Sequence, residues 1–290
     1  MDPIKILKIL DEYEVLNEPF EEISDDFLNS KELLSNYLFK NQLINEKKLN
    51  KFNEKYFKFN KTIYLKLKNF FIYGKTYPKF LTSGDFFGIF PLNDSRVVIF
   101  LSDVSGKGLE AGLLAFMLYY YLSKELNMTS VTPQILLKKI NGICLEIFDE
   151  LKFATFSLLI LDLLSGSIEY AAAGSPPLLH YNLREQSIEE ADTVNIPLGI
   201  EKDFIYKGKR LDFNKGDIIL LYTDGAYEQM NRTHQIYGLE RLKKSFKKNI
   251  AKEPKKIIRN LYWDLKLFSL FARPNDDTTY IIIQYLNHKK

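Results

Sequence analysis

Cysteine is almost absent from this 290-residue chain: Cys144 is the only one. That excludes a disulfide within the chain and a cysteine-based zinc site. Histidine is nearly as scarce, and His180, His234 and His288 are scattered, which argues against a histidine-based metal centre. Charge of one sign is also lacking: 40 basic against 37 acidic residues leave +3, so nucleic acid is not an expected partner. The lysines that do cluster, Lys243, Lys244, Lys247 and Lys248, read as the solvated face of a helix. The longest apolar runs contain charges or stop well short of a membrane span, and Met-Asp-Pro at the start opens no cleavable signal pattern. A soluble cytoplasmic protein without a membrane partner is the default expectation. Internal repeats and low-complexity linkers are missing. So are two common catalytic signatures: Gly106-Lys-Gly108 lacks the flanking residues of a phosphate-binding P-loop, and no G-x-S-x-G elbow occurs.

Apolar residues make up 46% of the chain, with 22 Phe and 18 Tyr. That composition allows one large, aromatic-rich core with room for a smaller appendage. The appendage is expected over residues 1–60. There Ile4, Leu7, Ile9 and Leu10, then Phe27, Leu33, Leu34, Tyr37 and Leu38, then Leu49, Phe52, Tyr56 and Phe59 recur at helical spacing. Helices with an apolar stripe must bury it. The segment is therefore read as regulatory or as a dimerisation element, giving a possible homodimer through these helices, with a plain helical cap as the alternative.

Residues 61–290 form the second expected domain, rich in β-strand patterns. Strands are predicted over 63–73, 86–90, 97–101, 156–161, 167–172, 217–222 and 279–285. Helices are predicted over 108–126, 133–151, 239–248 and 254–271, the second with Thr132 as N-cap and Pro133 at its first position. Asp162-Leu-Leu-Ser-Gly166 reads as a hairpin loop. Strands fall in adjacent pairs with helices grouped between them. This is not the alternation of a parallel sheet, so an α+β class of mostly antiparallel sheets covered by helices is expected. Val97-Val-Ile-Phe-Leu101, apolar on both faces, should be buried on both.

Aspartates then stand out by position. The midpoint between Asp85 and Asp103 is Asp94, in the turn Asn93-Asp94-Ser95. A hairpin closing there puts the two opposite each other at its open end, with Cβ atoms roughly 4.5–5.5 Å apart. Carboxylates that close repel unless a cation lies between them. Asp224 ends the apolar strand Ile218-Ile-Leu-Leu-Tyr222, and Asp276 and Asp277 precede the last one. All-oxygen ligands favour Mg or Mn over zinc or copper. Singly, each aspartate reads as a turn residue; spacing alone leaves both the turn and the metal reading open.

The surrounding residues carry a resemblance. Ser83-Gly-Asp-Phe-Phe87 and Ser102-Asp-Val-Ser-Gly-Lys-Gly108 resemble the first signature of the PPM family of metal-dependent protein phosphatases, in its SpoIIE-like bacterial branch. Ala172-Ala-Gly-Ser-Pro-Pro-Leu-Leu179, Pro197-Leu-Gly199, Leu221-Tyr-Thr-Asp-Gly225 with Glu228, and Asp276-Asp-Thr-Thr279 match the later motifs in order. The resemblance runs from about Thr62 to Tyr285. Two positions depart from it: Ser83 stands where a glycine is usual, narrowing backbone freedom beside Asp85, and Ser175 stands where a histidine is usual.

The resemblance implies a four-layer α-β-β-α sandwich of two mostly antiparallel sheets flanked by helices. It implies two divalent cations, Mn2+ or Mg2+, held by Asp85, Asp103 in a bridging position, the backbone carbonyl of Val104, Asp224 and Asp276, with Asp277 the weaker candidate. Asp85 and Asp103 would then be the catalytic pair. Lys107 is a candidate for phosphate binding or simply a lysine at a helix start. The implied activity is hydrolysis of phosphoserine or phosphothreonine on a partner protein, in this branch a small anti-sigma-factor antagonist. The alternative from another class is an inactive, phosphatase-like binding module in a signalling pathway.

Overall fold

A computed structural model describes residues 16–18, 23–24, 62–67, 69–79, 83–106, 109–125, 131–149 and 151–287. Most of the predicted N-terminal helical segment, with Phe52, Tyr56 and Phe59, lies outside these residues, as does Lys107. Two antiparallel sheets stack face to face. The first runs β1(Thr62–Lys66), β2(Phe70–Tyr77), β11(Thr278–Tyr285), β10(Ile218–Tyr222), β7(Leu178–Asn182) and β8(Ser187–Ala191) in spatial order. The second runs β3(Asp85–Pro91), β4(Arg96–Val104), β5(Ala154–Asp162), β6(Ile168–Ala173) and β9(Lys209–Leu211). Helices α1(Leu109–Glu125) and α2(Pro133–Ile147) cover the outer face of the second sheet, and α3(Leu239–Asn249) and α4(Pro254–Phe268) that of the first. The α+β class and the four-layer sandwich are therefore as expected.

Strand parity explains the layering. In β4, Val98 and Phe100 point to α1 and α2, while Val97, Ile99 and Leu101 point into the layer between the sheets. The first sheet sends Phe70, Ile72, Ile219, Leu221, Ile281 and Ile283 into that same layer. Gly74 of β2 lets the sheets approach: a Cβ there would stand 2.4 Å from the ring of Phe87.

Local signals act as read. Thr132 Oγ1 accepts from the Ile135 amide at 3.4 Å, with Pro133 opening α2. Asp162 Oδ1 accepts the Leu164 and Ser165 amides at 3.0 and 2.7 Å, fixing the loop before Gly166 at φ +80. The predicted strand over 63–73 is two strands, because the Leu67 and Phe70 backbones bond each other and close a turn. Helix α2 stops at Ile147, where Phe148 turns extended. The hairpin of β7 and β8 and the short β9 have no counterpart in the sequence reading. Strand β8, Ser-Ile-Glu-Glu-Ala, is a polar, half-exposed edge without a clear alternation.

Candidate active site

The site grows out of the same parity rule at one end of the inter-sheet layer. Strands β3 and β4 pair in the register Asp85↔Asp103 through Pro91↔Val97. The hairpin thus closes about position 94, and the two aspartates face each other at its open end, as the spacing predicted. Asp103 shares the parity of Val97, Ile99 and Leu101, so it continues the inward face of β4 beyond the last apolar residue. Asp85 does the same beyond Phe87 and is 1% exposed.

On the facing sheet, the same inward rows run out into hydroxyls. Thr76 follows Ile72 and Gly74 in β2, Thr279 precedes Ile281 in β11, and Thr223 follows Leu221 of β10. Thr279 pairs with Thr76 across the ladder, and the Thr223 amide donates to the Thr279 carbonyl at 3.1 Å. Three threonines therefore stand side by side opposite Asp85. Thr279 Oγ1 and Thr223 Oγ1 lie 2.6 and 2.8 Å from Asp85 Oδ2. An ionised carboxylate only accepts, so both hydroxyls donate to it. Thr223 Oγ1 also accepts the Thr279 amide at 3.0 Å. With its proton spent on Asp85, Thr279 Oγ1 accepts from Thr76 Oγ1 at 2.9 Å. This hydroxyl row ties the sheets together and fixes one oxygen of Asp85.

Burial raises the pKa of the Asp85 carboxyl well above the ordinary carboxylate value, and the nearby Asp103 and Asp277 raise it further. The two threonine hydroxyls oppose the shift. A buried carboxylate in that setting calls for a positive counter-charge.

Asp277 has a different task. Its Oδ1 accepts the Lys79 amide at 2.7 Å and its Oδ2 the Gly84 amide at 3.0 Å. Both oxygens hold loops in place. Asp276 is more exposed, and its Oδ1 accepts the Asp277 amide at 2.9 Å. The loop also meets the Asp224 turn backbone to backbone: a Cβ on Gly225 would come within 1.9 Å of the Asp277 carbonyl oxygen. Glycine is required there by contact, not by φ. At the other side, a Cβ on Gly84 would stand 2.7 Å from the Val104 carbonyl oxygen, and the Val104 amide donates to Gly84 at 3.2 Å.

Ser83 is not among the described residues with positive φ. Its Oγ accepts the Asp85 amide at 3.1 Å, so the side chain adds a bond that a glycine could not make.

Asp103 and Asp224 line a cleft of about 370 Å3 together with Thr155, Ser175, Tyr227 and Glu228. Burial, then the neighbouring Glu228 and Asp224, push the Tyr227 hydroxyl up to about 12. Three acidic side chains around one opening would repel a phosphate group, but they suit a hard cation, and every donor is oxygen. The donor chemistry therefore fits Mg or Mn. Among the described residues, however, no three acidic or histidine side chains converge into a ready-made metal cluster. Asp85, Asp103 and Asp224 gather at one end of the sandwich, with the Asp276–Asp277 loop against the Asp224 turn. Thr223, Thr279 and Glu228 lie within the motifs, but the sequence by itself assigns them no role. Their signal was position: each lies within four residues of a singled-out aspartate. Thr76 and Thr155 carried no such signal.

A family model described as Stage II sporulation protein E (SpoIIE) matches residues 93–286. That is more than half of the chain, and the chain belongs to that family. Among curated relatives, it is 28% identical over 204 residues to "Phosphoserine phosphatase RsbU" of Bacillus subtilis (strain 168), covering 70% of this chain and 59% of that protein. It is 26% identical over 184 residues to "Phosphoserine phosphatase RsbP" of the same organism, covering 62% of this chain and 44% of that one. The chain thus spans less than two thirds of either relative. The fold matches the PP2C phosphatase domain, with a regulatory fragment, of SpoIIE from Bacillus subtilis at TM-score 0.66 and 22% identity, over 76% of this chain and 64% of that one. It matches the RsbU and RsbW domains of Rv1364c from Mycobacterium tuberculosis at TM-score 0.67 and 23% identity, over 81% and 65%. These likenesses identify a PPM-type sandwich. No helix among the described residues is long and apolar enough to cross a membrane.

Proposed function

We propose that this chain is a protein phosphatase that hydrolyses phosphoserine or phosphothreonine on a partner protein, using two divalent cations, Mn2+ or Mg2+. The observation that carries this reading is the facing pair Asp85 and Asp103 at the end of the inter-sheet layer, with Asp103 and Asp224 on one acidic cleft. Asp85, Asp103, Asp224 and Asp276 would hold the cations through carboxylates, and Val104 through its backbone carbonyl. When bound, the cations would supply a water of lowered pKa as nucleophile and offset charge on the phosphoryl group.

The chain's own groups prepare that chemistry. Thr223 and Thr279 orient Asp85 by donating to Oδ2. No described group donates to Asp85 Oδ1, which leaves that oxygen for a ligand bond. Asp277 locks the Lys79 and Gly84 amides, so it positions the loop that carries Asp276. Ser175 offers a hydroxyl at the cleft in place of a histidine and can hydrogen-bond but not titrate near neutral pH. The named relatives are phosphoserine phosphatases, which supports a phosphoprotein substrate, in this branch a small anti-sigma-factor antagonist. Residues 1–60 would regulate or dimerise the enzyme without entering the chemistry. Leu16 and Ile23, both buried in the α1 and α2 core, support contact between that segment and the helical layer.

The test is phosphate release from a phosphoserine protein, measured with Mn2+ or Mg2+, after EDTA, and after restoring the cation. Thermal unfolding is followed in parallel. Cation-dependent release and a cation-dependent rise in Tm are expected. A folded protein with neither would be the inactive binding module instead.

A further inference from the structure

The helical layer over the first sheet carries a second surface, away from the aspartates. Helix α4 buries Ile257, Ile258, Leu261 and Leu265. The opposite face of such a helix is ordinarily polar. Here its outer side and the turn beyond it expose Trp263, Leu267, Leu270 and Phe271 at 51, 59, 59 and 60%. Four large apolar side chains within nine residues make a ridge, not scattered exposure. Trp263 and Phe271 meet edge to face, with centroids 6.1 Å apart. Leu270 and Phe271 hold φ of +49 and +55. Two consecutive non-glycine residues in the left-handed region are strained, so the ridge is kept at an energetic cost.

A groove of about 520 Å3 runs between this ridge and α3. Its α3 wall is basic: Arg241, Lys244 and Lys248 line it, with Lys252 at the end. Arg241 lies over the Phe268 ring at 4.8 Å, and Lys252 donates to Asn249 at 2.9 Å. Lys243 is spent on Glu190 and Glu240. Lys244 and Lys248 have no ion-pair partner among the described residues. The single acidic group of the groove, Asp264, accepts the Tyr237 hydroxyl at 2.5 Å. The groove therefore offers an apolar rail beside a positive one.

We infer that the α3–α4 groove docks a partner protein through an amphipathic helix, apolar on one face and acidic along its flank. Its apolar face would lie on Trp263, Leu267 and Phe271, as in helix-in-groove recognition. Its carboxylates would meet Lys244 and Lys248. This docking is independent of the phosphatase reading, because none of the groove residues is a candidate cation ligand.

Trp263 is the only tryptophan of the chain, so emission excited selectively in the tryptophan band reports the groove. The full chain is titrated with a tryptophan-free amphipathic helical peptide of leucine and glutamate, and with its leucine–lysine counterpart. A saturable blue shift with the acidic peptide only is expected. Binding should weaken at least about tenfold in Lys244→Glu/Lys248→Glu and in Leu267→Asp, and fall with added salt, with circular dichroism confirming that each variant is folded. The inference is overturned by an unchanged emission, by equal binding of the lysine peptide, or by unaltered affinity in both folded variants. An emission shift driven by protein concentration alone would assign the groove to a second copy. A shift given only by vesicles of anionic lipid would assign it to a membrane surface. Either result also overturns it.

Discussion

The layer between the sheets has two ends built on one strand register but filled with opposite chemistry. At one end, Phe70 packs on Tyr285 and Phe213 with centroids 4.4 and 6.4 Å apart, close to the buried His180 and Asp217 pair at 3.1 Å. At the other end, the same inward rows finish in Asp85, Asp103, Thr76, Thr223 and Thr279. Apolar burial lowers the free energy of the folded state without help. The carboxylate end raises it until a counter-charge arrives. Stability and chemistry are therefore separable along one layer, and substitutions at the two ends should differ in kind.

The sharpest division is expected from Asp103→Asn. Turnover should be abolished, and Mn2+ should no longer raise Tm, while the cation-free protein is at least as stable as wild type because a like charge facing Asp85 is gone. Near-normal turnover in saturating Mn2+ would remove the reading of Asp103 as a cation ligand. At the apolar end, Phe70→Ala should cost about 3–5 kcal/mol in urea unfolding, with Mn2+ affinity of the folded protein unchanged. A loss of affinity as large as that of Asp103→Asn would mean that the two ends are not separable.

Thr279→Val tests the link between them. It keeps shape and removes the hydroxyl on Asp85, so cation affinity should fall about 10–100-fold, and Thr279→Ser should recover most of it. Calorimetric titration with Mn2+ decides; unchanged affinity would make the hydroxyl row purely structural.

Asp217→Asn should cost about 1–3 kcal/mol, and the loss should depend on pH. Burial alone would raise the Asp217 pKa. The His180 ring and the Leu183 and Asn214 amides outweigh it, and the folded-state value lies below the ordinary one. Such a group contributes stability above its unfolded pKa, about 3.9, and loses it as pH falls through the folded value. The difference between variant and wild type should be full at pH 7 and shrink below that range, as read by urea unfolding at several pH values. The smallest effect is expected from Cys144→Ser. The thiol is buried in α2 and burial pushes its pKa up, so turnover should be unchanged and thiol-directed inhibitors without effect. Lost turnover in a folded variant would contradict a metal-based site.

The sequence by itself determined the layers and the key pairing. Continuous apolar runs such as Val97 to Leu101 specified strands buried on both faces, Thr132-Pro133 specified a helix start, and Asn93-Asp94-Ser95 fixed the register that sets Asp85 against Asp103. These are local properties, carried by residues near one another in the chain. The tertiary structure alone decided the rest. Thr76, Thr223 and Thr279 come from three strands, and only sheet order makes them neighbours opposite an aspartate of the other sheet. That Asp277, and not Asp276, meets the Lys79 and Gly84 amides depends on chain about 200 residues away in sequence. Strand β8 was illegible because a polar edge strand carries no alternation to read. The apolar ridge of α4 was hidden for the converse reason: Trp263 and Leu267 look like core in the sequence, and only the packing of Leu261 and Leu265 on the sheet turns them outward.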